Sequence, residues 1–209
     1  PRPRAYQAGD PAASGRAEAK SFFRNTQVWL TMAAGAVGFG GLFCVYSYIA
    51  KIVTSVGGLE KGAVPFFTLA FGLGMVVGTW IAGELASWSV FKSLLLGGTG
   101  SGIALILFWL AAPHGWWLLP FTFVVTAIGS LLAINMQLRL MDVAGDAVTL
   151  GAAMNHAALN VANALGAFLG GAVILAGFGY RSPALVGVVL SFLGVAILLW
   201  SGLLQRRAR

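Results

Sequence analysis

Four polar side chains fall close together in an otherwise apolar stretch: Asn155, His156, Asn160 and Asn163. At about 100° per residue on an α-helix they share one arc with Gly166 and Gly170, while Val161, Leu165, Phe168 and Leu169 lie on the other side. A polar arc on an apolar helix must face protein or a water-filled cavity. Two uses fit it, hydrogen bonding between helices and the lining of a path for a solute. Histidine as a residue type changes charge near physiological pH, although a lone histidine close to a helix end also serves as a plain hydrogen-bond donor. A second polar row, Thr122, Thr126 and Ser130, follows the i, i+4, i+8 spacing and leads to Asn135, Gln137 and Arg139. Phe39, Phe43 and Tyr46 form an aromatic stripe followed by Ser47 and Tyr48. Such a stripe either packs into a core or makes a wall for an apolar or ring-shaped solute.

Most enzyme chemistry is missing. The six acidic residues are Asp10, Glu18, Glu60, Glu84, Asp142 and Asp146, and none falls in the middle of an apolar run. There is no Gly-x-Ser-x-Gly, no His-Glu-x-x-His and no Walker lysine loop. Cys44 is the single cysteine, so the chain alone builds neither a disulfide nor a cysteine metal site. His114, between Pro113 and Gly115, reads as a solvated loop residue. No catalytic, metal or cofactor site is expected.

The elements that hold these residues follow from composition. Only 9% of the residues are charged and 58% are hydrophobic, against about 25% charged in a soluble domain, so the chain belongs in a bilayer. Spans of about 20 apolar residues are expected near 27–51, 63–85, 89–111, 117–140, 150–176 and 183–204. They form one bundle over 27–205, between a basic tail at 1–26 and a basic end at 206–209. Short connections make neighbouring helices antiparallel. The continuous apolar runs exclude an outer-membrane barrel, whose strands alternate with period two.

Glycines at four-residue spacing, Gly74 and Gly78 with Gly83 beyond them, mark close helix crossings. With the N-terminus inside, ten of the thirteen basic residues collect on the inner side and only Lys51, Lys61 and Arg181 outside. Both termini are therefore expected in the cytoplasm. The net charge of +7 sits beside apolar runs, where anionic headgroups rather than nucleic acid are the expected partner. No initiator methionine or signal peptide precedes the first span, so the chain reads as a piece of something longer.

Four stretches give this sequence a family likeness. They are Phe22 to Leu30, Tyr46 to Ala50, Arg139 to Ala147 and Asn155 to Ala167. Over about residues 20–205 the chain resembles the C-terminal six-helix half of a major facilitator superfamily transporter, in the drug/proton antiporter and arabinose-efflux-permease-like group. Gly78, Gly83, Leu85 and Ala86 match that family's pattern after its second helix, whereas Thr79, Ala82 and Ser87 differ from it, and Lys51 stands where relatives usually carry proline.

The resemblance implies an all-α polytopic fold, half of a twelve-helix carrier, with a 3+3 inverted repeat. It implies a cavity lined by the first and fourth spans, giving Phe39, Phe43, Tyr46, Tyr48, Thr122 and Thr126 as substrate-facing candidates with Asn155 and Asn163 of the fifth. Gly74, Gly78, Gly83, Arg139, Asp142, Asp146, His156 and Asn160 become gate or packing candidates. The implied function is proton-coupled efflux of small organic solutes such as drugs or sugars across the inner (plasma) membrane. A proton gradient supplies the energy, and the partner is a missing N-terminal half or a second copy of the chain. The alternative is a stand-alone six-helix protein, working as a dimeric carrier or as a non-transporting scaffold.

Overall fold

A computed structural model describes residues 11–207, with side chains from residue 15 onward. Arg2, Arg4, Asp10 and Arg209, counted above, lie outside the described residues. The first element is not a bare tail but a helix, α1 (Pro11–Arg24). Its Ala, Glu, Lys and Arg content favours helix. Asn25 ends it in extended backbone and starts the next helix, its side chain accepting a bond from the Gln27 amide at 2.9 Å.

The first span is α2 (Thr26–Tyr46). A turn at Ser47 and Tyr48 offsets its axis, and the chain then continues helically through Ile49–Lys51 and a π-turn at Ile52–Val56. With Lys51 in place of a proline, nothing removes the backbone donor that this continuation uses.

From Lys61 to Val143 the chain runs 83 residues with almost no interruption of helix. At 1.5 Å per residue that would reach roughly 125 Å, about four times the hydrocarbon thickness of a bilayer. It folds back twice instead. Within Val64–Ala111 the backbone turns extended at Ser89 (φ −173°, ψ 113°), whose hydroxyl oxygen accepts the Lys92 amide at 3.3 Å. Ser89 thus caps a new helix, and the two arms are α3 (64–88) and α4 (90–111). The second reversal is the tight turn Ala112–Trp117, where Gly115 sits at φ +60°, a conformation closed to most side chains. Then come α5 (Leu118–Val143), α6 (Val148–Val173), prolonged by a π-turn at Ile174–Phe178, and α7 (Ser182–Arg207). Six spanning helices thus arise from four long apolar helical stretches.

Glycine contacts fix how the six pack. A Cβ on Gly78 would strike the Ala127 carbonyl of α5, and one on Gly74 would strike Thr126 Oγ1. In the second triplet, Gly166 lies against Gly40 and Cys44 of α2, and Gly170 against Tyr48. Gly97 of α4 receives Leu131 and Leu132 of α5, while Gly187 and Gly194 of α7 abut Gly41 and Gly38 of α2. The first helix of each triplet therefore packs on the second and third helices of the other, an exchange fitting two related three-helix units. Three buried clusters stack along the bundle. One, at the end of the bundle opposite α1, is built on Phe67, Phe108, Leu118 and Ile52. A middle one holds Phe39, Leu94, Leu132 and Met136. The last, beside α1, contains Phe22, Val28, Leu140 and Ala147.

Candidate functional site

The void lined by Ala34, Gly38, Phe39, Met136 and Gly194 measures about 10 Å³, room for one water at most. That void admits no organic solute, which turns attention to the polar side chains on the open faces.

Phe39 is 4% exposed and belongs to the middle cluster, with Phe43 partly buried against it. The Thr122 and Thr126 hydroxyls are buried and turn back to the carbonyls of Leu118 (3.1 Å) and Phe123 (3.0 Å) on their own helix. Turning back in this way satisfies them without a ligand. Tyr48 crosses to α6 and donates its hydroxyl to the Ala167 carbonyl at 2.7 Å. Tyr46, two residues earlier, is 45% exposed beside Phe71 of α3, with ring centroids 4.5 Å apart.

The polar arc of α6 divides in two. Asn155 is buried on the glycine side, with its Oδ1 unpartnered in the protein, as is buried Thr31 Oγ1 of α2. His156, Asn160 and Asn163 lie on the other flank and are exposed, together with the small side chains Ala153, Ala157 and Ala164. In a bilayer these amides and the imidazole cannot face lipid. The Ser47 and Tyr46 side chains are exposed on the neighbouring α2. The open polar row is thus His156, Asn160 and Asn163, interspersed with Ala153, Ala157 and Ala164 and bordered by exposed Val161 and Phe168, while Tyr46 is exposed elsewhere, against Phe71.

At the end of the bundle that carries α1, a separate polar set ties helices together. Arg139, 6% exposed, donates from Nη2 to Gln205 Oε1 at 2.7 Å and from Nη1 to Asp142 Oδ2 at 3.3 Å, and stands over the Phe91 ring. Gln27 donates to the Ser201 carbonyl at 3.2 Å and receives the Ser201 hydroxyl. Asn25 donates to the Val143 carbonyl at 2.7 Å. Asp146 stays exposed in the α5–α6 connection. Gly83, unlike Gly74 and Gly78, has open space around it. The Gln27–Ser201 and Arg139–Gln205 links had little warning in the sequence. Each joins residues far apart in the chain, and the only local hint was Asn25 standing just ahead of an apolar run.

No family model matches the chain. Individual relatives do. AraJ of Escherichia coli (strain K12) is 29% identical over 199 residues, covering 95% of this chain and 50% of the relative. The inner membrane transport protein YdhP of the same strain is 31% identical over 177 residues, 83% of this chain and 44% of the relative. YtbD of Bacillus subtilis (strain 168), an uncharacterized MFS-type transporter, is 29% identical over 192 residues, 88% of this chain and 48% of the relative. The chain spans about half the length of the relatives it matches.

Proposed function

Since the chain belongs to the MFS-type transporters, we propose that it is the C-terminal half of a secondary carrier exporting small organic solutes. Its working form sits in the inner (plasma) membrane with both termini in the cytoplasm, and a proton gradient drives it. The observation that carries this reading is the exposed row of His156, Asn160 and Asn163 within a spanning helix. A polar face at membrane depth requires a cover, and the half of the carrier beyond this chain supplies it, leaving a wet cavity between. Amides and an imidazole on an open face suit a neutral or weakly polar solute with hydroxyl or carbonyl groups. None of the chain's six carboxylates falls in the middle of a span, Glu84 and Asp142 standing near helix ends, so the proton-carrying acid belongs to the other half.

In this scheme Asn160 and Asn163 touch solute, whereas Phe39, Thr122, Thr126 and Asn155 stiffen the wall from behind. Gly74, Gly78 and the Arg139 set keep the helices in register while the two halves rock. The test is efflux by the full-length carrier bearing Asn160→Leu or Asn163→Leu. Loss of one solute hydrogen bond, about 1–1.5 kcal/mol, lowers efflux on the order of ten-fold at unchanged protein level. Parental efflux by both variants overturns the assignment of this wall.

A further inference from the structure

We propose that α1 is a docking element for anionic phospholipid headgroups, holding its end of the bundle to the membrane surface. The roll of α1 is fixed by Phe22, which is 1% exposed and packs with Val28, Leu140 and Ala147. Arg16, Lys20 and Arg24 recur every four residues and are all exposed, on the side about 200° round the helix from Phe22 when measured at Lys20. Glu18 points away from this stripe, into a groove beside Asp146 and Thr149. Among the described residues none of the three cations meets a carboxylate, the one ion pair being Arg139–Asp142.

Next to the stripe the helix turns apolar. Phe23 is 43% exposed and Trp29 50% exposed. Their rings lie 6.0 Å apart, with the Trp29 indole N–H donating to the Phe23 carbonyl at 2.8 Å. Exposed indole and phenyl rings beside the start of a spanning helix sit at the headgroup boundary. A cationic stripe flanked by such rings is the pattern of a helix lying in the plane of the interface, and its charge complements an anionic leaflet. The proposal rests on the chain spanning a bilayer but not on transport or on orientation, since a lipid nanodisc offers equivalent headgroups on both faces.

The experiment is amide hydrogen exchange of α1 in the full chain, reconstituted in nanodiscs of phosphatidylglycerol or of phosphatidylcholine. Each basic residue at an anionic surface favours docking by a factor of about five, so the three slow exchange of α1 on the order of 100-fold in phosphatidylglycerol. In R16Q/K20Q/R24Q the difference between lipids disappears, while exchange in α2 to α7 stays at parental rates and shows that the bundle is folded. K92Q/R206Q/R207Q, altering exposed cations at the same end, keeps the difference. Inorganic phosphate added to phosphatidylcholine discs leaves α1 unchanged. Equal exchange in both lipids, a lipid difference that survives in R16Q/K20Q/R24Q, or slowing by inorganic phosphate alone would each overturn the proposal.

Discussion

Tyr48 shows how much one polar atom can do in this bundle. Its ring lies against Gly170 and Gly171, and its hydroxyl meets the Ala167 carbonyl at 2.7 Å, so one side chain fastens α2 to α6 just past the break at Ser47. Tyr48→Phe keeps the ring and removes that bond. It is expected to cost about 0.5–1.5 kcal/mol, read as a lower midpoint of denaturation in detergent, with an unchanged midpoint refuting the clamp. Arg139 makes a different case. Its contact with Asp142 reaches a carboxylate whose side chain is 73% exposed, and such pairs are worth at most about 1 kcal/mol. The charge-assisted bond to half-buried Gln205 and the contact with the Phe91 ring are what a substitution disturbs. Arg139→Lys, which lacks the planar fork, should therefore lower the midpoint by more than Asp142→Asn does; the reverse order would make the ion pair the dominant contact. Asn155 and Asn163 fall on one arc in the sequence, yet the first is buried and the second exposed. The arc covers about 140° of the helix, wider than the strip one neighbouring helix hides, and the path of α2 along Gly166 and Gly170 decides which edge is buried.

At the level of whole helices, small residues set how close two axes come. Gly78 leaves no space for a methyl group, since the Ala127 backbone occupies it, whereas nothing lies within 4 Å of the Cβ position of Gly83. Gly78→Ala therefore separates α3 from α5 and is expected to cost about 2 kcal/mol or more, in the range of overpacked cores. Gly83→Ala should be neutral or stabilising by up to about 1 kcal/mol from helix propensity. Thermal unfolding of the two variants side by side checks this, and equal destabilisation would mean that α3 is not seated where its glycines place it. The six spans were legible from apolar run length alone, because a bilayer sets a fixed minimum for each. Their neighbours were not, because Gly74, Gly78 and Gly83 look alike in sequence and only the crossing of α5 separates them. The α1 helix was also hidden. Its basic, charge-rich composition beside the first apolar run reads as a solvated tail despite good helix formers, and Phe22 finds its buried place only once Leu140 and Ala147, far along the chain, close over it beside Val28.

For the molecule as a whole, the decisive fact is that the six-helix bundle keeps a polar row on its outside. An exposed imidazole and two amides in the span of α6 each cost free energy if left against lipid, a few kcal/mol on insertion scales for strongly polar groups. The bundle is thus stable in a membrane only when that wall is covered by protein or water. Expressed alone, the chain should still insert, because run length and the distribution of basic residues, ten against three, suffice for topology. With Cys44 replaced by serine, a cysteine at Glu60 should react with a membrane-impermeant maleimide in intact cells, and one at Asp146 only after lysis. The opposite pattern would invert the orientation. On the half-carrier proposal the isolated chain should not drive uphill transport in proteoliposomes, since none of its carboxylates falls in the middle of a span. Transport should return when the other half of the carrier is co-expressed as a separate polypeptide, and Asn163→Leu should weaken that restored activity without weakening association of the halves. Uphill transport by the chain on its own would instead mean that a second copy covers the wall, and the half-carrier reading would give way to a dimer.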